Sequence, residues 1–323
     1  MSSDSQETPA FGPVTDCWYL TGPTAAGKSK VAIALAERLD AEIISLDSMA
    51  IYRGMNIGTA KPANDDRAKV PHHLLDIVDP NLEFSLAEYV ERAHQSLSEV
   101  KSRGKEVLFV GGTPLYLKSM LRGIYTGPPA DWDFRKKVDE EAEKVGLELL
   151  HTRLQQVDPL SAEKLHPHDK RRIIRALEVH HLTGQPISHL QVQFDDAEPA
   201  ENCRVFVLGW PRAVLHARIE RRIDEMFAKG LVAEVTEILA KYGSLSRTAM
   251  QAVGYREVVD MLASEGDLDS TVQLVKSRTR QFARRQETWF RSLEECQRVM
   301  LGQNEFDPDE IAAEILKMQS GTA

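Results

Sequence analysis

Residues 22–29 read Gly-Pro-Thr-Ala-Ala-Gly-Lys-Ser, a complete G-x-x-x-x-G-K-[ST] phosphate-binding loop. Its flanks restrict what can surround it. A β-rich run (Trp18, Tyr19, Leu20, Thr21) leads in, and a helical pattern (Val31, Ala32, Ile33, Leu35, Ala36, Leu39) leads out. Gly22 and Gly27 let the backbone curl so that several N–H groups point inward, and the following helix adds the positive end of its dipole. Across Pro23, Thr24, Ala25 and Ala26 the loop offers main chain to a phosphate. Lys28 supplies a point charge, and Ser29 a hydroxyl for Mg2+. A chance glycine-rich turn is the bland alternative, and the strand–loop–helix frame counts against it.

Three further apolar runs behave like buried strands: residues 42–46, 107–110 and 205–208. Continuous apolar runs separated by helical patterns indicate a parallel sheet covered on both faces. The expected fold is therefore α/β, a P-loop NTPase-like parallel sheet flanked by helices, with an all-helical insertion domain. That insertion is expected at 125–200, where helix-period sequence is punctuated by turns and carries no strand signal. It divides a catalytic core at 15–124 and 201–300; residues 1–14 read as a disordered tail and 301–323 as a polar C-terminal tail. After the fourth strand the chain is expected to be helical almost to its end. No run of about 18 apolar residues predicts a membrane span, and the polar start lacks a signal-peptide pattern. Cys17, Cys203 and Cys296 fit no zinc or disulfide spacing, in keeping with a cytoplasmic, reducing location.

Ligands of such sheets bind outside the carboxyl ends of the strands. Asp47 stands at one such end. It is either a functional carboxylate, accepting a proton or binding magnesium through water, or a helix N-cap, a role Ser48 could also take. Residues 107–110 are followed by Gly111, Gly112 and Thr113, where an ordinary P-loop hydrolase carries an acid. That absence counts against a motor and suggests a phosphate held as a leaving group. Arg218 and Arg222 share a helix face four residues apart. They could clamp a diphosphate or belong to a solvated face paired with Glu220 and Glu225.

The net charge of −9 argues against a nucleic-acid partner, but local clusters outweigh the sum. One cluster is Lys170, Arg171, Arg172 and Arg175. The other places Lys276, Arg280, Arg284 and Arg291 on one stripe, flanked by Arg278 and Arg285 and offset only by Glu287. Two basic surfaces suggest a polyanion larger than a nucleotide. Val275, Phe282 and Trp289 repeat every seven residues, the spacing of a buried stripe.

Taken together, the P-loop, residues 44–52, 54–62, 71–80, 110–116, 169–177, 253–256 and 279–289 resemble the tRNA dimethylallyltransferases (tRNA isopentenyltransferases), in the family's order across about 18–291. The resemblance implies transfer of a dimethylallyl group from dimethylallyl diphosphate to the exocyclic amine of the tRNA adenosine 3′ of the anticodon, position 37, by a monomer that works without a membrane. It also implies that Asp47 is the general base, Thr113 orients the reactants, and Arg218 holds the diphosphate. Contacts to the anticodon stem-loop would come from Asp47, Ser48, Met49, Ala50, Thr113, Arg135, Arg171, Arg172, Arg175, Gln251, Gly254, Tyr255, Arg256, Arg284, Arg285, Gln286 and Arg291. The target base would leave its stack to react. No zinc-finger extension follows, so the chain looks like the shorter bacterial form. An adenylate isopentenyltransferase needs neither the insertion nor the basic clusters, and a small-molecule kinase would want an acid after residue 110. A non-enzymatic RNA-binding protein would have no reason for Asp47 beside a P-loop.

Overall fold

The computed structural model describes residues 11–124, 127–190, 203–302 and 306–320. They fall into two compact units: Val14–Leu121 with Pro199–Ala323, and Arg122–Glu198 with the N-terminal segment up to Pro13. Among the described residues no helix is long and apolar enough to cross a membrane.

The larger unit holds a six-stranded sheet in which every pairing is parallel. Its strands are β1 (Trp18–Thr21), β2 (Ala41–Ser45), β3 (His72–His73), β4 (Glu106–Val110), β5 (Arg204–Gly209) and β6 (Cys296–Met300), in the spatial order β3-β2-β4-β1-β5-β6. The chain passes from β1 through α1 (Lys28–Leu39) outward to β2 and on through α2 (Asn64–Lys69) to the edge strand β3, then back through α3 (Leu86–Ser102) to β4. Right-handed crossovers running in opposite directions put α1 and α3 on opposite faces.

Side chains alternate accordingly. Trp18, Leu20, Ile43, Leu108, Phe206, Leu208 and Val299 share one core with α1. Helices α10 (Arg212–Ala228), α13 (Leu268–Arg291) and α14 (Pro308–Ser320) contribute to the same core. Tyr19 stacks on Phe109 at 4.9 Å, and the hydroxyl of Tyr89 from α3 donates to the Ser45 carbonyl. Glu42 is buried in β2 because Arg103 (3.0 and 2.7 Å) and His73 (2.6 Å) hold its carboxylate; the Arg103 hydrogen bond leads in lowering its pKa.

Beyond α4 (Pro114–Arg122) the smaller unit carries α5 (Trp132–Val145), α6 (Leu147–Val157), α7 (Pro159–Lys164), α8 (Lys170–Thr183) and α9 (Ile187–Leu190). They close over Val138, Leu150, Leu154, Ile173 and Leu177. In the larger unit, α11 (Leu231–Tyr242), a 3-10 turn (Ala249–Gln251) and α12 (Tyr255–Ser264) separate α10 from α13.

Both termini depart from the sequence reading. Residues 1–10 lie outside the described residues, but Phe11 bridges Ile124 and Val14 is buried, so 11–14 are not tail. The expectation of helix almost to the end fails at β6, which pairs with β5 from Val205↔Cys296 to Gly209↔Met300. The expected polar tail is instead largely α14, which buries Ile311, Ala312 and Ile315 against α1; residues 303–305 and 321–323 lie outside the described residues. The stripe Val275, Phe282, Trp289 is also corrected. The buried line of α13 is Thr271, Val275, Ala283, Gln286 and Phe290, with Phe282 and Trp289 half-buried. Ile315 is 0% exposed, so Ile315→Ala should destabilise the larger unit by about 2–4 kcal/mol in chemical denaturation, as a core truncation does.

Candidate functional site

The phosphate loop is seated by main chain lying on main chain. Gly22 turns the chain at φ 142°, and a Cβ there would sit 2.6 Å from the Leu208 carbonyl oxygen on β5. Gly27 caps α1 in the left-handed region at φ 96° with no side-chain acceptor, so the first-turn N–H groups stay open to an external anion. A Cβ on Gly27 would strike the Phe306 ring at 2.5 Å.

Helix α10 supplies two of the cations around this loop. Arg218 Nε donates to the Ala25 carbonyl at 2.9 Å; its guanidinium lies 4.4 Å from the centre of the Trp210 ring and 5.2 Å from that of Phe306. Trp210 Nε1 donates to the Ala26 carbonyl, and Arg222 Nη1 to Thr24 Oγ1 at 3.1 Å. The solvated face belongs instead to Arg221, facing Glu225 at 3.8 Å, and to Glu220, taken by Arg280 at 2.8 Å. Lys28 Nζ curls back onto the Gly22 and Pro23 carbonyls, each at 2.9 Å. Burial, then the Arg222 charge, pushes Lys28 down to about 8, with Asp47 acting the other way. Burial also lowers Arg222, against Asp47 and Glu225, and Arg218, where Arg221 adds to it. Ser29 is exposed at the start of α1.

The opposite wall is the turn after β4. A Cβ on Gly111 would fall 2.0 Å from the Leu46 carbonyl oxygen, so only glycine lets this turn lie on β2's exit. Thr113 N donates to that same carbonyl. Thr113 Oγ1 accepts from Ser48 N at 3.0 Å and donates to Ser48 Oγ at 3.3 Å. Asp47 Oδ1 accepts from Met49 N (2.8 Å) and Ala50 N (3.2 Å). No helix follows, so Asp47 closes a turn rather than capping a helix as the sequence allowed, and among the described residues no hydrogen bond engages Oδ2. Ala50 is buried, whereas Ser48 and Met49 are half-buried.

Not every residue expected at an RNA surface lies on one. In α13, Arg284, Arg285 and Arg291 are exposed, and among the described residues no acid pairs with them. Lys276 and Arg280 are held by Asp224 (2.6 Å) and Glu220 (2.8 Å), and Arg278 by Glu257; the stripe is shorter than its sequence suggests. Gln251 and Arg256 are exposed. Gly254 is a buried left-handed N-cap. Tyr255 is fully buried, donating to Glu234 Oε1 at 2.5 Å, while Glu234 also collects the N–H groups of Asn56, Ile57 and Gly58. Gln286 is 3% exposed.

Within the smaller unit, Arg135 makes a two-pronged pair with Glu178 (2.7 and 2.8 Å). Arg175 closes on the same carboxylate at 2.5 Å and on the Pro128 carbonyl at 3.0 Å. Glu178 is 0% exposed, so these two arginines neutralise a buried acid rather than project outward. Arg171 and Arg172 are exposed, the latter 3.4 Å from Asp169. Sequence reasoning missed Trp210, Phe306 and Glu234, for no local pattern marks an aromatic or acid whose partner lies on another element.

The Lys28 charge carries a pH dependence with a definite sign. A bound anion favours the protonated amine, so the lysine's contribution is full below about pH 8 and declines as pH rises above that value. Calorimetric titration with inorganic diphosphate should show wild type binding about tenfold or more tighter than Lys28→Met at neutral pH, a ratio that shrinks as pH is raised.

The IPP transferase family model matches residues 50–293. A tRNA dimethylallyltransferase of Rhodopirellula baltica is 49% identical over 318 residues, covering 96% of this chain and 95% of the relative. Among solved structures, the tRNA isopentenylpyrophosphate transferase of Bacillus halodurans aligns at TM-score 0.67 and 35% identity, over 96% of this chain and 99% of that one. A eukaryotic dimethylallyltransferase acting on tRNA aligns at TM-score 0.69 and 27% identity, over 85% and 69% of the two chains. With the phosphate loop, its cations and the glycine turn at the same end of the sheet, this chain belongs to the IPP transferase family.

Proposed function

We propose that this chain is a tRNA dimethylallyltransferase, moving the dimethylallyl group of dimethylallyl diphosphate to the exocyclic amine of adenosine 37. One observation carries the reading: Lys28, Arg218 and Arg222 gather on a phosphate loop beside Asp47 and Thr113, while Gly111 and Gly112 stand where a hydrolase needs an acid. Such a loop holds a diphosphate that leaves with its electron pair, rather than a phosphate attacked by water.

The adenine amine attacks the allylic carbon, the carbon–oxygen bond breaks, and its electrons go to the diphosphate. Lys28, Arg218 and Arg222 neutralise the charge that develops there. Asp47 takes the amine proton through its Oδ2, since Oδ1 is occupied by the Met49 and Ala50 N–H groups. Thr113, tied to Ser48, fixes the acceptor beside Asp47. The residues fit Mg2+ only as an ion shared with substrate. Ser29 and Asp47 are hard oxygen donors, and among the described residues no group of three or more His, Cys, Asp or Glu could hold an ion unaided. Ser29 would hold the ion, which would supply further charge for the leaving group.

For RNA we assign Gln251, Arg256, Arg284, Arg285 and Arg291 of the larger unit and Arg171 and Arg172 of the smaller, all exposed. We remove Gly254, Tyr255, Arg135 and Arg175, which serve the fold. A monomer working in the cytoplasm, with no membrane partner, is the setting we propose.

The test is transfer of labelled dimethylallyl from its diphosphate to unmodified tRNA or to AMP, with magnesium, following ATP consumption in parallel. Label in tRNA without ATP turnover is expected; label in AMP alone, or ATP turnover without transfer, would replace the assignment. Asp47→Asn keeps an oxygen acceptor for the Met49 and Ala50 N–H groups but removes the base. It should lower kcat by about 10^2–10^4 with tRNA affinity unchanged. Arg284→Ala and Arg171→Ala should each weaken tRNA binding and reduce the slope of log K against log salt by about 1.

A further inference from the structure

We propose that Gln286 is a positioning residue that holds the phosphate loop and the 111–113 turn at a fixed separation, so that α13 shapes the anion site. The proposal rests on reading that loop as a diphosphate site. In sequence Gln286 follows Arg284 and Arg285 and looks like part of their RNA-facing stripe. In the fold those two arginines are exposed while Gln286, one residue on, is 3% exposed and points inward.

Its carboxamide spans two walls. Oε1 accepts from Thr24 N in the phosphate loop at 2.9 Å, and Nε2 donates to the Gly112 carbonyl at 2.5 Å. An amide donor on one side and a carbonyl acceptor on the other fix which end of the group faces which wall. A leucine could make neither bond. A glutamate would set a second oxygen against the Gly112 carbonyl. The fit is close: a Cβ on Gly112 would stand 2.7 Å from Gln286 Nε2 and 3.4 Å from both the Gly22 carbonyl oxygen and Lys28 Nζ. The amide therefore sits in the same packed cluster as the ammonium that meets the diphosphate.

By holding Thr24 N, Gln286 also settles which loop amides are available. Thr24 is committed to α13, leaving the open N–H groups at the start of α1 for the ligand. Through Gly112 the same side chain bears on Thr113, and through Thr113 on Ser48 and the Asp47 turn. Gln286 touches neither substrate; it acts by setting the distance between the leaving-group loop and the acceptor wall.

The experiment is calorimetric titration of inorganic diphosphate with magnesium into wild type, Gln286→Leu and Gln286→Glu, with tRNA binding measured alongside. Gln286→Leu should weaken diphosphate about 10–100-fold while tRNA affinity stays within about twofold. Gln286→Glu should be weak at about pH 8 and recover toward wild type as pH falls to about 5.5. The protonated carboxyl can again donate to Gly112 and accept from Thr24. That recovery, read as the ratio to wild type, comes from one folded protein, so it decides the matter even if Gln286→Leu does not fold. Wild-type diphosphate affinity in Gln286→Leu, no acid recovery in Gln286→Glu, or a loss confined to tRNA would overturn the positioning role. Failure of wild type itself to bind diphosphate would overturn the anion site along with it.

Discussion

The site depends on two places where backbone lies directly against backbone. Gly22 rests on Leu208 and Gly111 on Leu46, at separations where even a methyl group would collide with a carbonyl oxygen. The exits of β1, β2, β4 and β5 lie at the carboxyl end of the parallel sheet, and these contacts draw their loops together there. Four loops distant in sequence then share a space that parallel topology alone would leave more open. The Asp47 turn, the Thr113 strap and the phosphate loop all take their positions from this packing.

Electrostatics divides the larger unit into two regimes. Away from the phosphate loop, enclosed charges are matched with opposite ones: Glu42 with Arg103, Glu257 with Arg278, Lys61 with Asp76. Around the loop, Lys28, Arg218 and Arg222 are instead held by neutral carbonyls and a hydroxyl. Burial acts against the charge of all three.

What the sequence disclosed follows the range of the signal. The phosphate loop, four of the six strands and the pairing of Arg218 with Arg222 were legible because each is written in contiguous residues with a fixed period. Strand β3 is two residues long, too short for any periodicity. Strand β6 lies at the sheet edge with only Val299 buried, and Gln297 and Arg298 break the apolar run that marked the buried strands. The basic residues were misjudged where their partners come from other helices. Nothing near Lys276 announces Asp224, and although Glu178 stands three residues from Arg175, nothing shows that it is fully enclosed. Gln286 was misplaced for the same reason: its neighbours in the chain are solvent cations, and its neighbours in space are main chain.

The position of β6 and α14 has a consequence for the order in which the chain can be completed. β5 gains its outer partner, and α1 its cover, only from residues that follow Arg291, the last of the two basic clusters in the sequence. Until those residues are available, β5 is an unpaired edge carrying Val205, Phe206, Val207 and Leu208, the kind of strand that recruits other chains. During synthesis the phosphate loop would then exist with its helix half bare. β6 therefore withdraws a sticky edge only after every other strand of the sheet has been made.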